Sequence, residues 1–475
     1  PRRDVMSADG MADVGEILPL LPAQAGMLFD LVSGAAQPGA YIGVVTLRLT
    51  GDVDPMRLET ALTEAVRCRD ALSASFVWKG TAKPVQVVHL APNVPFETLD
   101  WSAEPDLEAR LSALVRAERL KGFTLTQAPL VRGTLIFSAA GQSVLVLTVH
   151  HLVADGWSVG PFLQDLFDRY FRIESDCARP AGSARLRDAL VWSKKKRVRS
   201  AEEAFWTNHM AGAPEATILE TAADRPADAG DGLAFHRDRA LDRTLSAALI
   251  DLARTSRTTL YTVISAAWAM VLRRHGSGDD VMIGQVDAGR PTAVPGIGAA
   301  VGAFVNTLPL RIKMDPTQTV SQLLAEIEAD ARKRAPHRFA ALADVQRWAG
   351  AGSGTPLFQS VVVSESFPEL NLADGPISVT KTDVIGPGNV PLALAIYPGE
   401  TLTLRLEADP KLHGADGVDM LLEEMAHLLA AISKDPNQRI SDCFQSAVAA
   451  GEPNLAAVPP FRSVTEAIFA QAQAT

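Results

Sequence analysis

The sequence predicts an α+β protein built as two lobes, and three observations lead there. At 475 residues the chain exceeds the roughly 250–300 residues at which a single hydrophobic core stops growing. Segments of helical period and of strand period occur in both halves. They do not alternate strictly as strand and helix, which sets aside a simple doubly wound parallel sheet.

Taken in order, LPLLPAQAGMLFDLVSG (18–34) carries Pro22 at a helix start and Met27, Leu28 and Leu31 on one face. GVVTLRLTG (43–51) alternates as a strand, and Pro55 opens an amphipathic helix to about Arg69. LSASFVW and VQVVHL read as short strands, and residues 105–120 as a helix. PLVRGTLIF (129–137) and SVLVLTV (143–149) are strands, the second so continuously apolar that both its faces are expected to be buried. A helix is expected from about Ser158 to Ile173. RIESDCARPAGSAR (172–185), with Pro, Gly, Ser and mixed charge, is the expected lobe boundary. Beyond it come helices at 186–199, 201–211, 259–274, 317–334 and 415–434. Strands are expected at 280–286, 304–313, 357–365, 376–383, 391–397 and 401–407.

Composition narrows the function. The chain has 47% hydrophobic and 21% charged residues, the mix of a globular protein rather than a disordered one. No run approaches the ~18 apolar residues of a membrane span. A formal net charge of −10 argues against nucleic acid as the main partner. Cys68, Cys177 and Cys443 form neither a zinc spacing nor a disulfide framework, so a reducing, cytoplasmic compartment is expected. The opening run PRRDVMSADGMADVGE is polar and unlike a secretory signal. The closing AAGEPNLAAVPPFRSVTEAIFAQAQAT reads as a linker and a short helix. Together these ends lead us to expect a piece of a longer polypeptide.

The chemistry concentrates in HHLVADGWS, residues 150–158, where a buried strand runs into a turn. Successive side chains of a strand face opposite ways. One of His150 and His151 should therefore face a pocket while the other packs structurally. Asp155 before Gly156 is ordinary turn chemistry by itself; two histidines at the end of a buried strand give it weight. A rival motif overlaps: GWSVG (156–160) spells the nucleophile elbow of serine hydrolases, with His209, His236 and His337 downstream. The parallel sheet and oxyanion loop that the hydrolase needs are not apparent, and Ser158 is expected to cap the following helix. The glycines of PGIGAAVGAF (295–304) are spaced unlike a dinucleotide fingerprint and read as a loop. SKKKRVRS (193–200) reads as a solvated helix end, with docking of an acidic protein as the functional alternative and a nuclear signal as the least favoured one.

HHLVADGWS resembles the HHxxxDG signature of nonribosomal peptide synthetase condensation domains, members of the chloramphenicol acetyltransferase-like superfamily. LPLLPAQAGMLF, DALSASF (70–76), LRDALVW (186–192), the Gly289–Arg290 pair, VGAFVNTLPLR (301–311) and PLFQSVVVSESFP (356–368) are similar to further family motifs, in the family's order. The chain departs from the pattern at Ser73, where the family has Arg, and at Ser366, where it has Asn. HRFAAL (337–342) matches its motif weakly.

The resemblance implies two acetyltransferase-like lobes in a V-shaped pseudo-dimer, at 15–178 and 179–445, with a tunnel at their junction. A linker at 1–14 would precede them, and a linker with the start of an adenylation domain would follow at 446–475. A donor acyl thioester on an upstream carrier protein would meet an acceptor aminoacyl thioester on a downstream one, and an amide would form. His151 would be the catalytic histidine, with His150, Asp155 and Arg290 supporting the site and Asp155 pairing with Arg290. Trp157, Ser158, Trp192, Asn306 and Ser366 are candidates for the tunnel lining. The domain would bind no cofactor or metal, since its substrates arrive on phosphopantetheine arms; the partners would be the two carriers and the adjacent adenylation domain, with no nucleic acid and no membrane. QAGMLF and NTLPLR look most like the subtype that takes a D-configured donor, with L-donor and dual types open. An epimerisation domain of the same fold and a noncatalytic recruitment module are the alternatives.

A thioester is already activated toward amines, so the mechanism requires no covalent enzyme intermediate. An α-amino group with a pKa of about 7.7–8.0 is partly neutral near pH 7, so His151 need not be a strong base: it would either take the proton as the tetrahedral intermediate forms or mainly position and stabilise that intermediate. The Gly156 backbone N–H is a candidate oxyanion donor.

Overall fold

The computed structural model describes residues 13–138, 142–172, 182–216, 219, 231–352, 355–365, 377–386 and 388–449. Both chain ends, Cys177, most of the expected boundary segment and Ser366 lie outside the described residues.

In chain order the main elements are β1 (Val14–Pro19), α1 (Pro22–Ser33), β2 (Ile42–Gly51), α2 (Pro55–Arg67), β3 (Ala74–Val77), β4 (Val85–His89), β5 (Phe96–Asp100), α3 (Leu107–Lys121), β6 (Val131–Phe137), β7 (Gln142–His150), α4 (Gly156–Phe171) and α5 (Leu186–Lys196). They continue with α6 (Arg199–His209), β8 (Phe235–Ala240), α7 (Arg243–Thr255), α8 (Leu260–Leu272), β9 (Asp280–Asp287), β10 (Asn306–Lys313), α9 (Val320–Arg334), α10 (Leu342–Trp348), β11 (Ser360–Ser364), β12 (Ile377–Ile385), β13 (Leu392–Tyr397), β14 (Thr403–Ala408), α11 (Ala415–Lys434) and α12 (Ile440–Ala449). The mixture of helices and sheets is the α+β class.

Two compact units form, and neither is one continuous stretch. The first takes Pro1–Arg197, Ala288–Val305 and Phe367–Asn389; the second takes Val198–Asp287, Asn306–Ser366 and Val390–Thr475. The lobes expected at 15–178 and 179–445 are contiguous, whereas the first unit also draws in two segments from the later half. One of them supplies β12, which pairs antiparallel with β2. The other is the 288–305 loop, which is hydrogen-bonded to the start of α4.

The first unit holds a five-stranded sheet in the order β12-β2-β7-β6-β5 and a three-stranded sheet β1-β4-β3. Strand β7 sits at the centre of the larger sheet, antiparallel to both β2 and β6. Its alternate residues divide between two cores: Leu145 and Leu147 pack with α2 and α4, while Val144 and Val146 pack with Trp101, Leu111 and Val115. This is why SVLVLTV has no polar alternation, since both faces are covered. Helix α2 starts where Asp54 accepts the Arg57 N–H and Pro55 fills the first turn, and it buries Leu58, Ala61, Leu62, Ala65 and Val66. The second unit holds a six-stranded sheet in the order β10-β9-β11-β13-β14-β8. Its core gathers around the nearly all-apolar α8 and the inner face of α11.

Candidate active site

The site is built where β7 ends. His150 is the last strand residue, paired across the ladder with Ile42. It is 2% exposed, and its Nδ1 accepts the Leu152 N–H at 3.0 Å. Burial, reinforced by the neighbouring His151, pushes its pKa down to about 3. His150 is therefore a neutral structural imidazole, packed edge-on to Phe123, and it folds the chain back: Val153 N–H donates to the His150 carbonyl.

His151 is half-buried and lies in the turn just past the end of the strand. Its backbone N–H donates to the Tyr41 carbonyl at 2.7 Å. Its ring Nδ1 lies 2.7 Å from the Ala154 carbonyl. A carbonyl can only accept, so Nδ1 carries the hydrogen. Burial lowers the His151 pKa, against smaller opposing effects from the Ala154 hydrogen bond and the Asp155 charge. The ring is thus neutral near pH 7, with its lone pair on Nε2. Among the described residues Nε2 meets no hydrogen-bond partner, and it is not one of the unpartnered polar atoms shut away from solvent. A neutral imidazole with a fixed Nδ1–H and an open Nε2 is equipped to accept a proton.

Asp155 occupies the opposite extreme. It is the N-cap of α4, and its side chain is fully buried. Oδ1 accepts from Ser158 N (3.0 Å), Ser158 Oγ (2.7 Å) and Arg290 Nη2 (2.8 Å). Oδ2 accepts from Arg290 Nη1 (2.8 Å), Phe304 N (2.9 Å) and Val305 N (3.1 Å). The bidentate arginine and the two loop amides join the 288–305 segment to the start of α4. Arg290 lies over the Phe304 ring, and its Nη2 also reaches the Ala300 carbonyl at 3.3 Å. Gly289 is required beside it: its φ is +63°, and a Cβ there would lie 1.7 Å from the Phe304 carbonyl oxygen.

Ser158 belongs to this cluster and takes part in capping α4 as expected, its Oγ accepting the Asp155 N–H at 3.4 Å in return for the bond that Asp155 accepts from the Ser158 N–H. It sits at the third position of α4, behind an Asp155 cap, because the helix starts at Gly156. Its Oγ is surrounded by Asp155, Arg290 Nη2 (3.1 Å), Gly302 N (3.0 Å) and Gly302 O (3.0 Å), and the residue is 0% exposed. A hydroxyl so committed faces no open space, and among the described residues no histidine is one of its partners, so the structure gives it no nucleophile's base. A separate Ser75–His89–Asp13 line, at 2.9 and 3.1 Å, ties β3, β4 and the residue before β1. Ser75 is 3% exposed, which makes that line a strand fastening.

The remaining sequence candidates scatter. Gly156 is the first residue of α4, where a helix leaves its N–H without an internal partner. Trp157 is half-buried. Trp192 packs on a small cluster with Leu186, Ala189 and Val294. Asn306, in the second unit, is buried, and its Nδ2 donates to the Arg338 and Ala340 carbonyls at 2.9 and 2.8 Å. Among the described residues no His, Cys, Asp and Glu cluster could hold a metal ion.

Sequence reasoning missed three supports. Gln24 is fully buried in α1 and donates through Nε2 to the Leu152 carbonyl at 2.7 Å, so it clamps the residue after His151. Arg69 is buried against Asp165 (3.2 Å), Ser183 Oγ (3.0 Å) and the Ala299 carbonyl (2.8 Å). It brings a guanidinium to the 288–305 loop four residues before Ser73, whose own hydroxyl donates to the Val66 carbonyl. Tyr41 is the third. Gln24 was within reach, since it lies inside LPLLPAQAGMLF; Arg69 and Tyr41 carry no local signal.

A family model described as Condensation domain matches residues 14–447. The chain is 32% identical over 402 residues to chondramide synthase cmdD of Chondromyces crocatus, covering 84% of this chain and 10% of that protein. It is 29% identical over 437 residues to a linear gramicidin synthase polypeptide of Brevibacillus parabrevis, covering 90% of this chain and 6% of that protein. The chain thus spans a tenth or less of these relatives. Among solved structures, the starter condensation domain of rhizomide synthetase RzmA in complex with C8-CoA superposes with a TM-score of 0.77 at 23% identity, over 92% of this chain and 98% of that one.

Proposed function

This chain belongs to the condensation domain family of nonribosomal peptide synthetases, and from that premise we propose that it forms an amide between a donor acyl thioester and an acceptor amine, each delivered on the phosphopantetheine arm of a carrier protein. The observation that carries the reading is the His151 imidazole, with Nδ1–H spent on Ala154 and Nε2 open. The acceptor nitrogen attacks the donor carbonyl carbon, and a C–N bond forms. Its surplus proton passes to His151 Nε2 as the tetrahedral intermediate develops. Collapse breaks the C–S bond, and the proton leaves Nε2 for the departing thiolate. The oxyanion takes a hydrogen bond from the Gly156 N–H, at a helix terminus whose dipole favours negative charge. Most of the acceleration comes from placement, since holding two reactants together is worth up to ~7–11 kcal/mol. Asp155, Arg290 and Ser158 touch no substrate; they keep the α4 terminus and the loop after β7 in place.

Two chemically loaded carrier proteins, mixed with this domain, test the reading. Dipeptide that depends on His151 supports it. Exchange at the donor α-carbon without coupling selects an epimerase, and carrier binding without turnover selects a recruitment module. Donors loaded as D and L residues report the stereochemical subtype, for which the sequence favours D.

A further inference from the structure

We infer that Tyr41, locked by Asp30 and Asn389, is a positioning residue that sets the His151 imidazole for proton transfer. The inference rests on His151 being the reacting group. Tyr41 has φ +64°, and among the described residues only Arg257 is another non-glycine with positive φ. The left-handed region is strained for an aromatic residue, and such strain persists where surrounding structure enforces it. If the chain needed only a turn before β2, glycine would supply it without that strain. What Tyr41 adds is a fixed carbonyl: the Tyr41 oxygen accepts the His151 N–H at 2.7 Å, one residue beyond the Ile42–His150 pair that ends the ladder.

The side chain explains how the strain is held. The Tyr41 hydroxyl donates to Asp30 Oδ2 at 2.6 Å, at the end of α1. It accepts from Asn389 Nδ2 at 2.8 Å, and the same Nδ2 lies 3.3 Å from Asp30 Oδ2. Asn389 Oδ1 in turn accepts the Gln37 N–H at 3.3 Å. Burial and the Asp30 charge raise the Tyr41 pKa, so the phenol stays a donor. Helix α1 therefore grips the histidine turn twice: Gln24 holds the Leu152 carbonyl after His151, and Asp30 holds Tyr41, which receives the N–H of His151 itself. With both anchors set, the ring has one way to satisfy Nδ1, on Ala154, and Nε2 is left aimed outward.

Tyr41→Phe removes the lock and nothing else. Carrier-to-carrier coupling should lose about tenfold in kcat, in line with the ~10²-fold that a 1 Å misplacement can cost, with KM for the acceptor unchanged. The ¹⁵N shifts of His151 should turn from a single Nδ1–H tautomer to a mixture. Asp30→Asn, whose amide oxygen still accepts the phenol proton, should behave like the parent chain. Wild-type kcat and an unchanged tautomer in Tyr41→Phe would overturn the inference, as would a lowered Tm with both readouts intact. If Tyr41→Phe does not fold, Asn389→Ala loosens the same lock and must shift the tautomer the same way. A parent chain that couples nothing defeats the proposed function, while the tautomer readout still decides the role of Tyr41.

Discussion

Four residues apart, Asp155 and His151 show opposite uses of a polar side chain. The carboxylate of Asp155 collects six hydrogen bonds and no solvent. Among the described residues the ring of His151 makes one hydrogen bond and keeps a nitrogen open. The difference separates anchoring from chemistry. A group whose every lone pair is committed cannot exchange a proton without breaking the fold, whereas a group held at one end by a single fixed bond can do so at the other. Mutations at the two positions should separate stability from rate.

The largest effect is expected at Asp155. Asn in its place offers one acceptor oxygen and sets an NH₂ against donors from Arg290 and the loop amides. Breaking a buried pair of this kind typically costs about 3–5 kcal/mol. Thermal denaturation should show the chain strongly destabilised or insoluble. A well-folded, normally melting Asp155→Asn that has lost coupling would reverse the comparison and make Asp155 a reacting group.

His151→Ala should do the converse. Loss of a positioned proton acceptor costs typically ~10²–10⁴-fold in rate, and coupling between loaded carriers should fall by that order with Tm nearly unmoved. In the parent chain, the pKa of His151 lies below its ordinary value. The acceptor amine imposes its own acid limb near its pKa of about 7.7–8.0, and His151 should add a second one only below about pH 6.5. A rate that, once divided by the neutral fraction of the acceptor amine, already falls well above that value would assign the proton transfer elsewhere.

What the sequence made legible follows the same division. The strand that runs out at the two histidines and the turn at Asp155 are local, and local spacing reveals them. The double burial of β7 was legible because both cores demand apolar residues at every position. The partners of Asp155 were not legible from spacing: Arg290 and the Phe304 and Val305 amides lie well over a hundred residues away, and only resemblance to a family joined Asp155 to Arg290. Strand β8, FHRDRA, was missed because beyond Phe235, which packs on the core, it presents charged side chains that form ion pairs. Arg405 meets Asp238 at 2.7 Å, and Arg239 of β8 meets Glu423 of α11 at 2.8 Å. An edge strand held by charge shows no apolar alternation. Strand β12 was expected, but its partner, β2, lies more than three hundred residues earlier. No periodicity encodes such a choice.

His150 sharpens the comparison at an intermediate scale. Its folded pKa of about 3 lies below the ordinary 6.5. Between those values the unfolded chain binds the proton that the folded chain refuses, so stability falls as the pH drops from about 6.5 toward 3. His413, pushed down to about 4 by burial, adds to the same slope. His150→Asn can still accept the Leu152 N–H, as an asparagine does from the residue two positions on, and it carries no titrating ring. Melting curves from pH 7 to 5 should be flatter for the variant than for the parent; parallel curves would remove His150 from the acid response.

The smallest effect belongs to Ser158, and it discriminates between readings most finely. Its hydroxyl bridges Asp155 to the Gly302 peptide and faces nothing that could react. Ser158→Ala removes that bridge and leaves the Gly302 N–H unsatisfied, at a cost of about 1–3 kcal/mol. The Arg290–Asp155 pair and the loop amides remain, so α4 still begins at Gly156 and the turn carrying His151 keeps its frame. Tm should drop by a few degrees, while coupling by the folded protein stays near the parental rate. A nucleophilic serine predicts the reverse, a normal melt with abolished turnover, so one variant measured both ways tells an anchor from a reactant.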